Sequence, residues 1–405
     1  MTPSPTLPTL FTPSFIRLLV LQTTFGLAYS AFILLPKFLK TELAATPWEI
    51  GAVAASFGAA TTLVTPFAGV WVDRFGRRSF VSWGALAMVF GSIGFVAVDS
   101  MGPLVYALRF LQGAAFSLAF VAGGALVTDQ APPERLGQAI GLYGLTMLST
   151  NAVAPALAES IADQVGWAPA FVAAGVAAAV AFALSFTLRE HRAPPEPHED
   201  VPSLWSVVRT RRALWYMSIS GLGGAAFGAM FTFSQPFALD LGMTHVRSFF
   251  FAYAAMGILV RLGLGSFVDR AGRAKISVFT LALYAVCVFW MAGLTPETLP
   301  WIGAAFGVAH GLFYPAFNSL VMEGAHELER GKVYAIFIGA FNAGWGVSGI
   351  ALGAVAEIQG YPTVFLWAGL AVLLALALLI SAREIRGEFR RVRPATGSAH
   401  DPVTR

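Results

Sequence analysis

The sequence predicts an all-α polytopic membrane protein: twelve transmembrane helices in two pseudo-symmetric six-helix bundles. Three observations carry this. The chain is 57% apolar and only 12% charged, whereas a soluble domain carries about 25% charged residues. Its apolar residues lie in twelve stretches, each near the roughly 20 residues a helix needs to cross a bilayer. A motif in the first half returns in the second half.

The apolar stretches fall at 14–37, 48–71, 79–98, 103–127, 138–161 and 166–188, then at 213–237, 246–268, 275–294, 299–321, 332–356 and 361–382. The gaps carry turn signals, as in Asp99-Ser100-Met101-Gly102-Pro103 and Thr295-Pro296-Glu297. Backbone groups in lipid must be satisfied within helices or closed barrels, and continuous apolar runs select helices. Met1 to Ser14 is rich in Pro and Thr and holds no basic residue, which is unlike a cleaved signal peptide. The first span is therefore expected to stay in the mature protein.

Lys and Arg set the expected orientation. With both termini cytoplasmic, 21 of the 26 basic residues fall on the inner side. Only Lys37, Lys40 and Arg247 fall outside, and Arg109 and Arg261 lie within spans. The expected organisation is a cytoplasmic tail (1–14), a first bundle (15–188), a cytoplasmic linker (189–212), a second bundle (213–382) and a cytoplasmic tail (383–405). The linker begins with Pro and charge and ends in an amphipathic piece around Leu204, Trp205 and Val208 that suits a membrane surface.

Several functions are excluded. One cysteine, Cys287, allows no intramolecular disulfide and no Cys-rich metal site. The net charge of +4 reflects where Arg sits, so no nucleic-acid partner is expected. No Gly-x-x-x-x-Gly-Lys-Ser/Thr loop is present, which argues against ATP-driven pumping by this chain. Scattered histidines with no His-Glu-x-x-His argue against an intramembrane metalloenzyme, and no soluble output domain points to a sensor. No cofactor and no metal are expected.

The repeat is specific. Gly69-Val-Trp-Val-Asp73-Arg74-Phe-Gly76-Arg77 returns as Gly265-Ser-Phe-Val-Asp269-Arg270-Ala-Gly272-Arg273, an offset of 196 (265 minus 69). Gly166-Trp167-Ala-Pro-Ala-Phe171 returns as Gly360-Tyr361-Pro-Thr-Val-Phe365, an offset of 194 (360 minus 166). Leu35-Pro36 has a counterpart near Pro236. Such placement makes parallel repeats of six spans, related by an axis along the membrane normal, with a site between them.

The doubled Gly-x-x-x-Asp-Arg-x-Gly-Arg motif, between spans 2 and 3 and between 8 and 9, resembles the signature of the major facilitator superfamily. Arg109-Phe-Leu-Gln112-Gly113 in span 4 resembles a second motif of that family, Arg-x-x-Gln-Gly. The resemblance covers about Phe15 to Ser381. It implies a secondary active transporter that works by alternating access as a functional monomer, with protons as the coupling ion. It also implies a gating role for Gly69, Asp73, Arg74, Gly76, Arg77, Arg78, Gly265, Asp269, Arg270, Gly272 and Arg273. Gly76 and its like serve a tight turn, and Gly69 and Gly265 a close helix approach. Asp129 and Glu323, at matching inner ends of spans 4 and 10, are expected to join Arg135 and Arg330 in an inner charge network.

A charge within a span costs roughly 2.5–3.5 kcal/mol on insertion scales, so Arg109 and Arg261 require a wet cavity or a partner. Arg261 suits an anionic substrate group, because guanidinium offers a planar fork to carboxylate. For Arg109 the family motif suggests proton coupling or packing between spans. His310 in span 10 suits proton carriage, because imidazole changes charge near physiological pH. Glu159, near the outer end of span 5, is a third coupling candidate. Asp163 and Glu357 read as ordinary carboxylates at the outer helix ends. Gln22, Tyr29, Asn151, Phe231, Tyr253, Tyr314, Asn318, Asn342 and Trp345 are candidates to line the cavity.

Spans 1, 2, 7 and 8 hold no acidic residue at mid-depth, and span 5 shows Ala154-Pro155-Ala156 where an antiporter motif would have Gly-Pro and a following Gly. Both weaken a simple exchange of cationic drugs for protons. The expected substrate is a small organic molecule. Export of a metabolite, siderophore or drug-like compound is favoured over uptake or exchange of a small carboxylate. The expected site is the inner membrane of a bacterium.

Overall fold

The computed structural model describes residues 10–188, 209–322 and 330–382, without the side chains of 70, 73, 133, 264–271, 330–332, 334 and 335. Every regular element among the described residues is a helix. Twelve long helices match the twelve expected spans. They are α1 (Pro13–Thr41, with a 3-10 turn at Phe32–Leu34), α2 (Pro47–Phe75), α3 (Arg77–Ile93), α4 (Pro103–Gln130), α5 (Leu136–Val165) and α6 (Trp167–Ser185). The second half holds α7 (Arg211–Asp240), α8 (Arg247–Ala271), α9 (Arg273–Ala292), α10 (Leu299–Met322), α11 (Arg330–Gln359) and α12 (Tyr361–Ser381).

Local sequence explains the starts. The Thr12 hydroxyl accepts from Phe15 N–H at 3.2 Å, with Pro13 next to it. Thr46 and Glu49 form a capping box at α2, and Pro47 occupies the first turn, where its missing N–H costs nothing. The Thr210 hydroxyl caps α7 through Ala213 N–H.

The stops explain the sequence repeat. Gly76 and Gly272 have φ of 99° and 92°, and Gly166 and Gly360 have φ of 94° and 83°. These four glycines are the repeat positions, and each joins two helices end to end through a backbone that side chains resist. The motif itself is mostly helix: α2 continues through Asp73, Arg74 and Phe75, and only Gly76 leaves it.

Packing repeats as well. In the first half α1 contacts α5 and α6, α4 contacts α2 and α3, and α3 contacts α6. Adding six to every number gives the contacts of the second half: α7 with α11 and α12, α10 with α8 and α9, and α9 with α12. The halves meet mainly through α2 on α11 and α5 on α8, a pair of contacts that the same exchange maps onto itself.

The exterior is apolar. Trp301 is 68% exposed and Leu262 and Val347 are each 69% exposed, as a lipid-facing surface requires. Nine described helices are long and apolar enough to cross a bilayer. α7, α8 and α10 stand outside that group: α7 and α10 carry Gly, Ser, Thr, Gln, His and Asn, and the last third of α8 lies outside the described side chains. α7 is buried without a break from Ala226 to Ala238. An even number of crossings brings Leu10 and Ala382 to one face, called here the terminal face. The opposite face is the distal face.

Candidate transport site

The halves close on each other at the distal face. Lys37 on α1 lies 2.7 Å from Glu159 Oε1 on α5, and both side chains are buried. Lys37 Nζ also donates to Thr244 O of the other half at 2.9 Å. Glu159 then accepts from the N–H groups of Val246 and Arg247, each at 2.9 Å. Those are free donors at the start of α8, where a carboxylate is favoured by the helix dipole as well as by hydrogen bonding. One carboxylate thus joins α1, α5 and α8.

Weaker links surround it. Lys40 pairs with Asp240 and donates to Pro236 O at 3.0 Å. His245 Nδ1 lies 3.1 Å from Asp163 Oδ2, and Arg247 reaches Ser160. Gln235 Nε2 donates to Ile33 O at 2.7 Å, and Trp48 N–H to Glu357 at 3.2 Å. Asp163 and Glu357 are therefore cross-half partners as well as helix-end carboxylates.

Glycines let α2 and α11 approach along the same distal stretch. A Cβ on Gly51 would collide with the Gly349 carbonyl, and one on Gly58 would lie 2.7 Å from Gly346 Cα. Toward the terminal face the pattern ends. Among the described residues, a Cβ on Gly69 or on Gly339 would meet nothing within 4 Å. Gly69 lies eleven residues beyond Gly58, about 16 Å along the helix. The expected close approach at Gly69 is thus absent in this arrangement.

Beneath the distal contacts a small cavity lies between the halves. Its walls come from α1 (Tyr29, Phe32, Ile33, Leu35, Pro36 and Leu39), α2 (Ile50, Val53 and Ala54), α4 (Arg109), α7 (Phe231 and Thr232) and α11 (Trp345). Arg109 is 7% exposed. Its Nη1 donates to Gln112 Oε1 at 2.9 Å, and Gln112 Nε2 donates to Gly91 O at 3.1 Å. Gly113 packs on the Phe57 backbone. The Arg-x-x-Gln-Gly run is thereby explained: Gln112 steers the arginine and ties α4 to α3, and Gly113 brings α4 onto α2. The guanidinium lies 4.5 Å from the Phe57 ring centroid. Its Nε is buried without a partner, and no carboxylate among the described residues pairs with it. A buried donor left unpaired costs about 1–3 kcal/mol.

Aromatic rings continue across the interface. Phe57 lies 6.0 Å from Trp345, Trp345 lies 5.4 Å from Phe227, and Phe227 lies 4.7 Å from His310. His310 is enclosed by Phe227, Tyr253, Tyr284, Phe306, Tyr314 and Phe341, with Nδ1 unpartnered.

Of the expected site residues, Tyr29, Phe231, Trp345 and Arg109 line this cavity, and Tyr253 packs behind Phe231 at 5.1 Å. Arg261 does not line it: its Nε reaches Gly311 O at 3.5 Å, and its Nη1 lies 4.0 Å from a Cβ placed on Gly144 of α5. Asn151 accepts from Ser30 at 2.7 Å. The Asn342 backbone carbonyl faces Gly58. Gln22 Nε2 and Asn318 Oδ1 are buried without a partner among the described residues. Glu159 belongs to the distal contacts. At the terminal face Arg77 pairs with Asp129 and donates to Ala125 O at 3.3 Å. Arg74 lies over Phe75 and Arg78 over Phe186. Arg135 lies in a short 3-10 turn before α5. Glu323 and the side chains of Asp73, Gly265, Asp269, Arg270 and Arg330 lie outside the described residues. Sequence reasoning missed Phe57 and Thr232, which carry no charge to mark them, and the partners of Lys37 and Lys40.

Two like halves with a cation-bearing cavity between them are the architecture of a membrane transporter. The sequence profile of the Major Facilitator Superfamily matches residues 18–335, and the chain belongs to that superfamily. The staphylopine export protein of Staphylococcus aureus (strain Mu50 / ATCC 700699) is 22% identical over 387 residues, spanning 90% of this chain and 94% of its own. The crystal structure of the nucleoside transporter NupG superposes with a TM-score of 0.74 at 15% identity, covering 92% of this chain and 100% of that one. The human organic anion transporter MFSD10 (TETRAN) gives a TM-score of 0.68 at 17% identity, covering 91% and 100%. The two solved structures share the fold.

Proposed function

We propose that the chain is a secondary active exporter of a small organic solute, driven by protons through alternating access in the inner membrane of a bacterium. The terminal face is then cytoplasmic, in keeping with the basic residues on that side. The arrangement described above is the state closed to the outside. One observation carries the reading: Glu159 spans both halves at the distal face, while Gly69 and Gly339 stand clear of any described neighbour at the other. Rocking of the two halves would break the first set of contacts and make a new set around the repeated motifs.

Export is supported by the likeness to the staphylopine export protein of Staphylococcus aureus, at 22% identity. The solute class is a metabolite, siderophore or drug-like compound. A second reading, uptake or exchange of a small carboxylate, is favoured by Arg109 and Arg261, neither of which is paired with a carboxylate among the described residues. Proton coupling is assigned to Glu159 and His310. A proton on Glu159 would remove both the counter-charge of Lys37 and the cap of α8.

The test is flux in proteoliposomes carrying a pH-sensitive dye. With an imposed proton gradient, solutes that raise the melting temperature of the purified protein are expected to move against their own gradient and to carry protons the other way. Movement that ignores the proton gradient would remove the coupling. No movement of any stabilising solute would remove the transport reading.

A further inference from the structure

The unpaired edge of Arg109 points to a ligand chemistry. Three sides of this guanidinium are occupied or defined: Nη1 is held by Gln112, one face rests on Phe57, and the group lines the cavity between the halves. Its Nε is buried without a partner, and Nη2 takes part in no hydrogen bond among the described residues. These two nitrogens form the side-on edge that grips a carboxylate with two parallel N–H···O bonds. A packing role would satisfy this edge with a carbonyl or an acid. Here Gln112 spends its own donor on Gly91 O, which fixes the arginine without neutralising it.

The surroundings select the rest of the ligand. Trp345 lies 6.0 Å from Phe57, the ring beneath Arg109, and Tyr29 lies 5.7 Å from Phe57. Phe231 and Thr232 of the second half face the same space. Apart from Arg109 and Thr232, the cavity walls are aromatic and aliphatic. An inorganic anion would gain nothing from those apolar walls.

We propose that Arg109 is the anchor for the carboxylate of an amphipathic organic acid whose aromatic or apolar body lies between Tyr29 and Trp345. This names the substrate class for the transporter proposed above and rests on that reading for its physiological meaning, but binding itself does not. Because Tyr29 and Trp345 belong to opposite halves, the bound ligand touches both, which is what a rocking transporter needs from its cargo.

The experiment measures binding apart from flux. Purified full-length protein is titrated with ω-phenyl carboxylates of two to five methylenes and with their uncharged amides, by melting temperature and by calorimetry. At least one acid is expected to bind ten-fold or more tightly than its amide. Arg109→Gln should bring acid and amide within about two-fold of each other, and Arg261→Gln should leave the preference intact. Equal binding of acid and amide by the native protein, no binding across the series, or a preference that survives Arg109→Gln would each overturn the proposal. So would a preference lost equally in Arg261→Gln. Should Arg109→Gln fail to fold, phenylglyoxal labelling of the native protein read by mass spectrometry decides instead. The acid should slow modification of Arg109 several-fold where the amide does not, and equal rates would overturn the site. Binding as expected without any flux in proteoliposomes would sink the transport reading alone.

Discussion

Lys37 and Glu159 form an ion pair at 2.7 Å in the buried seam between the halves, and the acid of that pair also caps the first turn of α8. The lysine comes from the end of α1, and its own second bond goes to Thr244 O across the seam. Neither residue can leave alone at low cost. Breaking a buried pair from one side costs about 3–5 kcal/mol in soluble proteins, because a bare charge stays behind.

Replacement Glu159→Gln keeps the shape and removes the charge. The distal face should then open more often. In a Cys287→Ala background, a cysteine placed at Val53, which lines the cavity and is 1% exposed, reports this opening to a membrane-impermeant maleimide. We expect several-fold faster labelling from the distal side and a melting temperature lower by several degrees. Labelling at the parent rate would mean that Glu159 does not hold the face shut.

Protonation of Glu159 has the same electrostatic effect as that replacement, which fixes the sign of the pH response. Protons bind the state in which Glu159 has left Lys37 and the α8 N-terminus, so acid on the distal side favours distal opening. Labelling at Val53→Cys should rise as the distal side is made more acidic. Glu159→Gln should flatten the curve, and His310→Gln should leave it in place. The reverse result would move proton sensing from the gate to the aromatic enclosure of His310.

The two kinds of motif glycine separate by physical role. Gly76 and Gly272 have φ near +90°, a region that costs a side chain about 1–3 kcal/mol. Gly76→Ala should lower the melting temperature. Gly69 is helical with no neighbour within 4 Å of an added Cβ, so Gly69→Ala should hold stability or raise it slightly. If the terminal face closes on Gly69, the same change slows turnover while ligand affinity stays within about two-fold. Turnover equal to the parent would show that Gly69 never meets the opposite half.

The fold was legible because its signals are local: apolar runs of bilayer length, turn signals in the gaps between them, and glycines repeated at four of the helix junctions. Arg109 stood out as a charge inside a span, and Tyr29, Phe231 and Trp345 as cavity candidates. What was not legible is the pairing. Trp48 meets Glu357 across 309 residues and Val246 meets Glu159 across 87. Lys37 and Lys40 read only as basic residues outside, and Asp163 and Glu357 only as helix-end acids. No spacing rule relates such positions. Phe57 was invisible for another reason: one phenylalanine among 34 carries no mark until a guanidinium lies over it.

Gly51 and Gly349 supply a test that leaves every charge in place. Their backbones touch where α2 crosses α11, and a Cβ on either would enter the carbonyl of the other. Gly349→Leu is a wedge at that crossing. The polar contacts around Glu159 hold α1, α5 and α8, so they do not relieve a clash between α2 and α11; the wedge must part the halves on the distal side. We expect Val53→Cys in this variant to label as fast as in Glu159→Gln, with solute still bound and flux lost, since the closed state has become inaccessible. Flux at the parent level would show that α2 and α11 need not close during the cycle, and alternating access at this face would have to be assigned to α5 and α8 alone.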